Sequence, residues 1–345
     1  MKQDFYYGIE NYDSVLNKVG AKKVLLVCDA SFDFLSIKDA ILSSRIEHIM
    51  FNKFTANPLH TDADKGRELF VKEKCDVIVA VGGGSSLDVA KCIKLDLNGE
   101  FLIIAIPTTA GTGSESTRHI VVYKDGKKES LGNESVIPNI VIFEPNVLKT
   151  LPLYQKKSTL LDALCQGIES YWSVNATSET RKISRKAIQT LMKYMASYIE
   201  DNSEDSFVHI MEGANLSGQA INLTQTTAAH AMSYKITSTY KLPHGHAVAI
   251  CLPIVWRHML DKADDSLNKT FSEITDAMGF SSSVAAIEWF EGMLVKYEMK
   301  YPVAINNKED EVDMLTDAIN LVRLKNNPIV FNKEEIKAMY EEIIK

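Results

Sequence analysis

Four near-continuous apolar runs constrain this chain more than any other feature: KVLLVCD (23–29), VIVAVGG (77–83), FLIIAIP (101–107) and NIVIFEP (139–145). A strand that is apolar at every position has two faces to bury, so it belongs inside a parallel sheet covered on both sides. Parallel strands need long crossovers. DADKGRELFVKEK (62–74) reads as an amphipathic helix before the second run, and SSLDVAKCIKL (85–95) as a helix after it. This alternation predicts a doubly wound α/β domain over residues 1–151. Beyond it the period changes. Helical spacing runs through 154–173, 178–200, 206–223, 281–297, 308–323 and 333–344, which predicts an all-α domain over 152–345 with the border near LKTLP (148–152). At 345 residues, two domains are expected.

Composition narrows the function. The chain is 46% hydrophobic and 24% charged, with a net charge of −7. This argues for a globular protein and against a nucleic-acid binder. No stretch approaches the roughly 20 apolar residues that cross a bilayer, so no membrane partner is expected. Five scattered cysteines outside any CxxC fit a reducing, cytoplasmic setting.

Two loops carry glycine and hydroxyl residues at strand ends. Gly82, Gly83, Gly84, Ser85 and Ser86 join the second run to a helix, and IPTTAGTGSES (106–116) follows the third run. Glycines admit a ligand close to the backbone, and a helix start offers unpaired N–H groups to a pyrophosphate. Two such loops on neighbouring strands point to a phosphate-bearing cofactor, which makes the first domain a candidate dinucleotide-binding domain. Asp29 ends the first run. A carboxylate there either bonds a ribose 2′-OH or caps a helix. In the first case it repels a 2′-phosphate by roughly 3 kcal/mol at about 5 Å and an effective dielectric near 20, favouring NAD(H) over NADP(H).

HAMSYKITSTYKLPHGH (230–246) concentrates histidines. His230 and Tyr234 are four apart and share a helix face; Asp162 and Gln166 do the same on an earlier helix. His244 follows Pro243 in a predicted turn. Asp162, His230 and His244 would make a mixed O/N site suited to a first-row metal.

GGGSSLDVAK, PTTAGTGSE, DALxxxIE and H…PHG, in this order over roughly residues 20–260, resemble the iron-containing (group III) alcohol dehydrogenases. The resemblance implies an NAD(H)-binding α/β domain, a helical metal- and substrate-binding domain, and a divalent metal beside the nicotinamide: Fe²⁺ or Zn²⁺, with Mn²⁺ and Ni²⁺ as further candidates. By motif it carries Gly82, Gly83, Gly84, Ser85 and Asp88 to one cofactor loop and Thr108, Thr109 and Thr112 to the second. Lys128 matches a cofactor-side lysine. Asp162, His230 and His244 match metal ligands. The usual second ligand, a histidine four residues after the Asp, is Gln166 here. Tyr234 replaces a histidine near the substrate, and Glu144 replaces a frequent Asp.

The implied reaction is reversible hydride transfer between a nicotinamide and a small primary alcohol or aldehyde. His246 is expected either to relay a proton or to be a loop histidine; Tyr234 either bonds the substrate oxygen or lines the pocket. Residues 228–253 resemble the branch that reduces phosphonoacetaldehyde to 2-hydroxyethylphosphonate, and Arg118, Lys235 and Arg257 are candidate cations for its dianion. Other readings are a general aldehyde reductase, a sugar-alcohol oxidase, a synthase of the dehydroquinate type and a silent NAD-binding paralogue. The expected partners are a small-molecule substrate and a second copy of the chain in a homodimer.

Overall fold

The computed structural model describes residues 3–55, 58–97, 99–124 and 127–345; the side chains of residues 124, 127–129 and 322 fall outside this description. The chain forms two compact units, Met1–Leu151 with Asn202–Met211, and Pro152–Asp201 with Glu212–Lys345.

The first unit holds strands β1 (Asp4–Tyr7), β2 (Lys23–Cys28), β3 (Glu47–Phe51), β4 (Val77–Gly82), β5 (Leu102–Pro107), β6 (His119–Lys124), β7 (Lys127–Gly132) and β8 (Ile140–Phe143). Its helices are α1 (Tyr12–Lys18), α2 (Lys38–Leu42), α3 (His60–Glu73) and α4 (Gly84–Leu95). Six strands make a parallel sheet in the order β1-β8-β5-β4-β2-β3, and β6 and β7 form a separate antiparallel pair. The four apolar runs form β2, β4, β5 and β8. Every residue of β4 is buried, as a strand covered on both faces requires. The edge strands β1 (DFYY) and β3 (EHIMF) are shorter on apolar residues and partly exposed. From β2 the chain moves outward to β3, then returns to the other side of β2 as β4. The strand order therefore reverses between β2 and β4, where ligands of such sheets sit beyond the carboxyl ends.

The second unit is helical: α5 (Leu153–Trp172), α6 (Ser178–Ile199), most of α7 (Glu204–Thr224), α8 (Ala228–Tyr240), α9 (His244–Leu260), α10 (Asp265–Met278), α11 (Ser283–Lys296), α12 (Lys308–Asp317), α13 (Leu321–Leu324) and α14 (Lys333–Ile343). Helix α5 packs on both α6 and α9, and α8 packs on α9. Trp172 of α5, Trp256 of α9 and Phe271 of α10 form an aromatic cluster with ring centroids 5.4–6.0 Å apart. Such pairs add about 0.5–1.5 kcal/mol each beyond the area they bury, which fixes α5 against α9. Among the described residues no helix is long and apolar enough to cross a membrane.

Candidate active site

In the first unit the carboxyl ends of β2, β4 and β5 bring together the residues expected to meet a cofactor. Gly82 has φ 147°, and a Cβ there would lie 2.3 Å from Ser86 Oγ, so only glycine fits this turn. Thr109 and Thr112 of the second loop lie against Gly83 and Gly84; a Cβ on Gly84 would stand 3.0 Å from Thr112 Cγ2. The backbone N–H of Thr108 donates to the Gly82 carbonyl at 3.0 Å, tying the loops together. Gly83 is the N-cap of α4, and Gly84 and Ser85 open the helix, whose first N–H groups have no intrahelical partner. Of the two readings of Asp29, the geometry shows the cap. Its Oδ1 accepts from Ser31 N at 2.8 Å as a cap, and its Oδ2 lies 3.4 Å from Ser86 Oγ at the glycine turn.

Asp88, expected among the cofactor contacts, has both oxygens engaged within the unit. Ser114 Oγ donates to Oδ1 at 2.7 Å and Val121 N to Oδ2 at 3.0 Å. Beside it Lys91 is fully buried and donates to Ser114 Oγ, Thr117 Oγ1 and the His119 carbonyl at 2.8–3.2 Å. Burial pulls its ammonium down to about 8. This pair clamps α4 to the second loop. Lys128 lies on β7 opposite Tyr123, with its side chain outside the described residues. Glu144 caps the turn after β8, accepting from Asn146 N at 3.1 Å and Ile9 N at 3.0 Å.

The second unit assembles the metal-type residues. Asp162, Gln166 and Glu169 lie at i, i+4 and i+7 on one face of α5, each at most 3% exposed. His230 comes from α8. His244 begins α9 itself and does not sit in a separate turn; Pro243 is the N-cap. Gly245 makes the junction possible: a Cβ there would lie 2.0 Å from the Ser158 carbonyl oxygen and 2.8 Å from Asp162 Cβ. Ligand atoms of Asp162, His230 and His244 all lie within 4.8 Å of one another. His230 Nε2 stands 3.3 Å from Asp162 Oδ1. Yet Asp162 Oδ1, Gln166 Oε1 and His230 Nε2 are buried without a hydrogen-bond partner among the described residues. Orphaned donor atoms that converge are costly in a folded core unless something else binds them. Two oxygens and two imidazoles suit a first-row divalent cation, so the residues present fit a metal.

Glu169 was not singled out in the sequence, although its spacing from Asp162 and Gln166 was visible there. It is fully buried. Its Oε1 accepts from Thr227 Oγ1 at 2.7 Å and from the N–H groups of Thr227, Ala229 and His230 at 3.0–3.3 Å, capping α8 from another helix. Its Oε2 meets His230 Nδ1. The Nδ1 proton is thereby fixed, so Nε2 is the nitrogen left facing Asp162 and the one whose lone pair a metal would take in exchange for its proton. Burial works against the His230 charge, but the Glu169 and Asp162 carboxylates outweigh it and hold the imidazole up to about 9. Burial likewise opposes the Asp162 anion, and His230, His244 and Gln166 together keep its carboxyl below the usual range.

Tyr234 stacks on His244, with centroids 5.7 Å apart and planes 19° apart. His246 stands differently. Its Nδ1 lies 2.7 Å from Tyr154 Oη and its Nε2 3.0 Å from the Lys300 carbonyl. A carbonyl only accepts, so Nε2 carries the proton and Nδ1 accepts from Tyr154. Both ring nitrogens are engaged, and burial lowers the imidazole's proton affinity. Of the three candidate cations, Arg118 pairs with Glu134 at 2.6 Å, and Arg257 pairs with Glu291 and, at 3.7 Å, with Glu342. Lys235 directly follows Tyr234 on α8.

The similarities of the chain agree with this geometry. The model of the iron-containing alcohol dehydrogenases matches residues 6–145, and that of the C-terminal part of the Fe-containing alcohol dehydrogenase family matches residues 156–344. The NAD-dependent methanol dehydrogenase of Bacillus methanolicus is 27% identical, over 93% of this chain and 92% of its own. The phosphonoacetaldehyde reductase of Streptomyces viridochromogenes is 32% identical over 54% of this chain and 53% of its own. The structure of sulfoacetaldehyde reductase from Bifidobacterium kashiwanohense in complex with NAD⁺ superposes with a TM-score of 0.90 at 25% identity, covering 99% of this chain and 96% of that one. With an orphaned O/N ligand cluster in one unit and a glycine-lined strand-to-helix loop in the other, the chain belongs to the iron-containing alcohol dehydrogenases and is an oxidoreductase of that family.

Proposed function

We propose that the chain reduces a small aldehyde bearing an anionic head, with NADH as the hydride source and phosphonoacetaldehyde as the first substrate to try. The observation that carries the metal-dependent part of this reading is the set of buried, unpartnered atoms on Asp162, Gln166 and His230 beside His244. A divalent metal held by these four residues would act as a Lewis acid on the aldehyde oxygen. Glu169 sets the tautomer and orientation of His230. Gly245 lets α9 approach α5 so that His244 reaches the cluster. Tyr234 packs on His244 and walls the site. His246, engaged through both nitrogens, holds Tyr154 and the Lys300 carbonyl in place and takes no part in proton transfer. Asp88 and Lys91 brace the loops that would cradle the pyrophosphate, and Asp29 favours NAD(H) over NADP(H).

Support for the anionic head comes from the relatives. Phosphonoacetaldehyde and sulfoacetaldehyde both name a two-carbon aldehyde ending in a tetrahedral oxyanion. The methanol dehydrogenase, matched over a much larger share of the chain, favours a second reading in which the substrate is a neutral alcohol. NADH oxidation with phosphonoacetaldehyde, sulfoacetaldehyde, propanal and formaldehyde separates the two. At least tenfold higher kcat/KM for an anionic aldehyde is expected, and equal or better use of the neutral ones refutes the first reading.

A further inference from the structure

We propose that Arg323 is the residue that receives the anionic head of the substrate. The inference rests on the anionic-aldehyde reading and names the group that would enforce it. A dianion bound beside a carboxylate-containing metal cluster needs a cation aimed at its far end. The three arginines and lysines nearest the motifs in sequence do not supply one. Arg118 pairs with Glu134 at 2.6 Å. Arg257 is held between Glu291 and Glu342. Lys235 is one residue beyond Tyr234, hence about 100° around the helix from the face that carries His230 and Tyr234.

Arg323 lies nearly ninety residues beyond Tyr234 on the short helix α13, which packs on α8. It interacts with the Tyr234 hydroxyl, as does Thr226. The other end of that contact is the metal cluster, because the Tyr234 ring is stacked on His244. The guanidinium is therefore separated from His244 by one aromatic side chain, a span comparable to a two-carbon aldehyde with a tetrahedral head. Hydrogen bonds hold it in place. Arg323 N donates to Asn320 Oδ1 at 2.9 Å, and Nη1 donates to Gln225 Oε1 at 2.9 Å. Asn326 Nδ2 donates to the same oxygen at 3.2 Å and to the Thr226 carbonyl at 3.1 Å. Gln225 adopts φ 60°, a left-handed conformation that a non-glycine residue holds only when its surroundings enforce it. Asn326 and Arg323 together supply that enforcement at the connection between α7 and α8. A planar guanidinium fork suits a phosphonate or sulfonate better than an ammonium does.

The test compares wild type, Arg323→Ala and Arg323→Lys with phosphonoacetaldehyde, sulfoacetaldehyde and propanal, alongside NADH affinity, bound metal and melting temperature. Removing one charge-assisted contact should lower kcat/KM for an anionic aldehyde by roughly 10- to 150-fold, mainly through KM, while propanal stays within about twofold. Arg323→Lys should restore part of the loss, more for the sulfonate monoanion than for the phosphonate, whose bidentate contact a lysine cannot reproduce. Equal losses on charged and neutral aldehydes would show that Arg323 only braces Gln225, and no loss on any would remove it from the site; either overturns the inference. If wild type itself shows no preference for an anionic aldehyde, the substrate reading fails first, before any variant is made.

Discussion

Replacing Glu169 with Gln keeps the shape of a fully buried side chain and removes its charge. In the native site one oxygen takes four donors from Thr227, Ala229 and His230, and the other takes His230 Nδ1. An amide serves only one of these sides. With its oxygen toward the four donors, its NH₂ faces Nδ1, which must then accept; the proton moves to Nε2, and the lone pair facing the cluster is lost. Flipped, the amide sets its NH₂ against three N–H groups and a hydroxyl. Loss of such an outer partner typically lowers metal affinity 10- to 100-fold, or about 1.4–2.7 kcal/mol. The size of the loss depends on pH. Because Glu169 and Asp162 hold metal-free His230 up to about 9, the metal must displace a proton at neutral pH, at roughly 1.4 kcal/mol per pH unit below that value. Glu169→Gln relieves part of this cost. The affinity loss should therefore be fullest above pH 9 and shrink toward pH 7. Competition with a chromophoric chelator for Co²⁺ or Zn²⁺ at both pH values measures it. Equal affinity of the two proteins above pH 9 would refute the argument that Glu169 orients His230.

Gly245→Ala should cost about 1–3 kcal/mol in a urea titration and weaken the metal at least tenfold, because its Cβ would overlap the Ser158 carbonyl and crowd Asp162. In metal-free protein, His230 is raised from 6.5 to about 9. Its contribution to stability is then complete below about pH 6.5 and lost as pH rises through about 9. The gap in urea midpoint between wild type and His230→Gln should narrow over that window, and a constant gap would contradict the shift. Asp29→Asn keeps the cap on Ser31 and removes the charge near Ser86. The NADPH-to-NADH ratio of kcat/KM should rise by roughly 10- to 100-fold, within the 3 kcal/mol limit of the repulsion; an unchanged ratio would exclude Asp29 from cofactor choice.

The central sheet was legible because β2, β4, β5 and β8 are apolar on both faces, a pattern that exposed strands do not sustain. The edge strands are short: β1 (DFYY) has no aliphatic residue, and β3 (EHIMF) opens on an acid and a histidine, so neither period stands out. The antiparallel pair β6–β7 went unread because its second strand, KKESLG, is mostly polar. Within the site, Asp162 with Gln166 and His230 with Tyr234 could be paired because helix geometry relates residues four apart. Glu169 lies on the same face, but its partners are the N-terminus of α8, some sixty residues away, and only tertiary packing reveals that contact. His246 reads from the sequence as a proton relay or a loop histidine; that it lies inside α9 with Tyr154 and the Lys300 carbonyl engaging both of its nitrogens is visible only in the packing. Arg323 sits in a four-residue helix with no motif around it.

The central claim is that Asp162, Gln166, His230 and His244 hold a metal on which aldehyde reduction depends. Anaerobic titration of metal-stripped protein with Fe²⁺, following bound metal and NADH oxidation with phosphonoacetaldehyde in the same sample, tests it most directly. Both signals should rise together and level off at one metal per chain, and His244→Ala should show neither while still binding NADH. Full turnover by the stripped protein, or a wild-type metal titration in His244→Ala, would contradict the account.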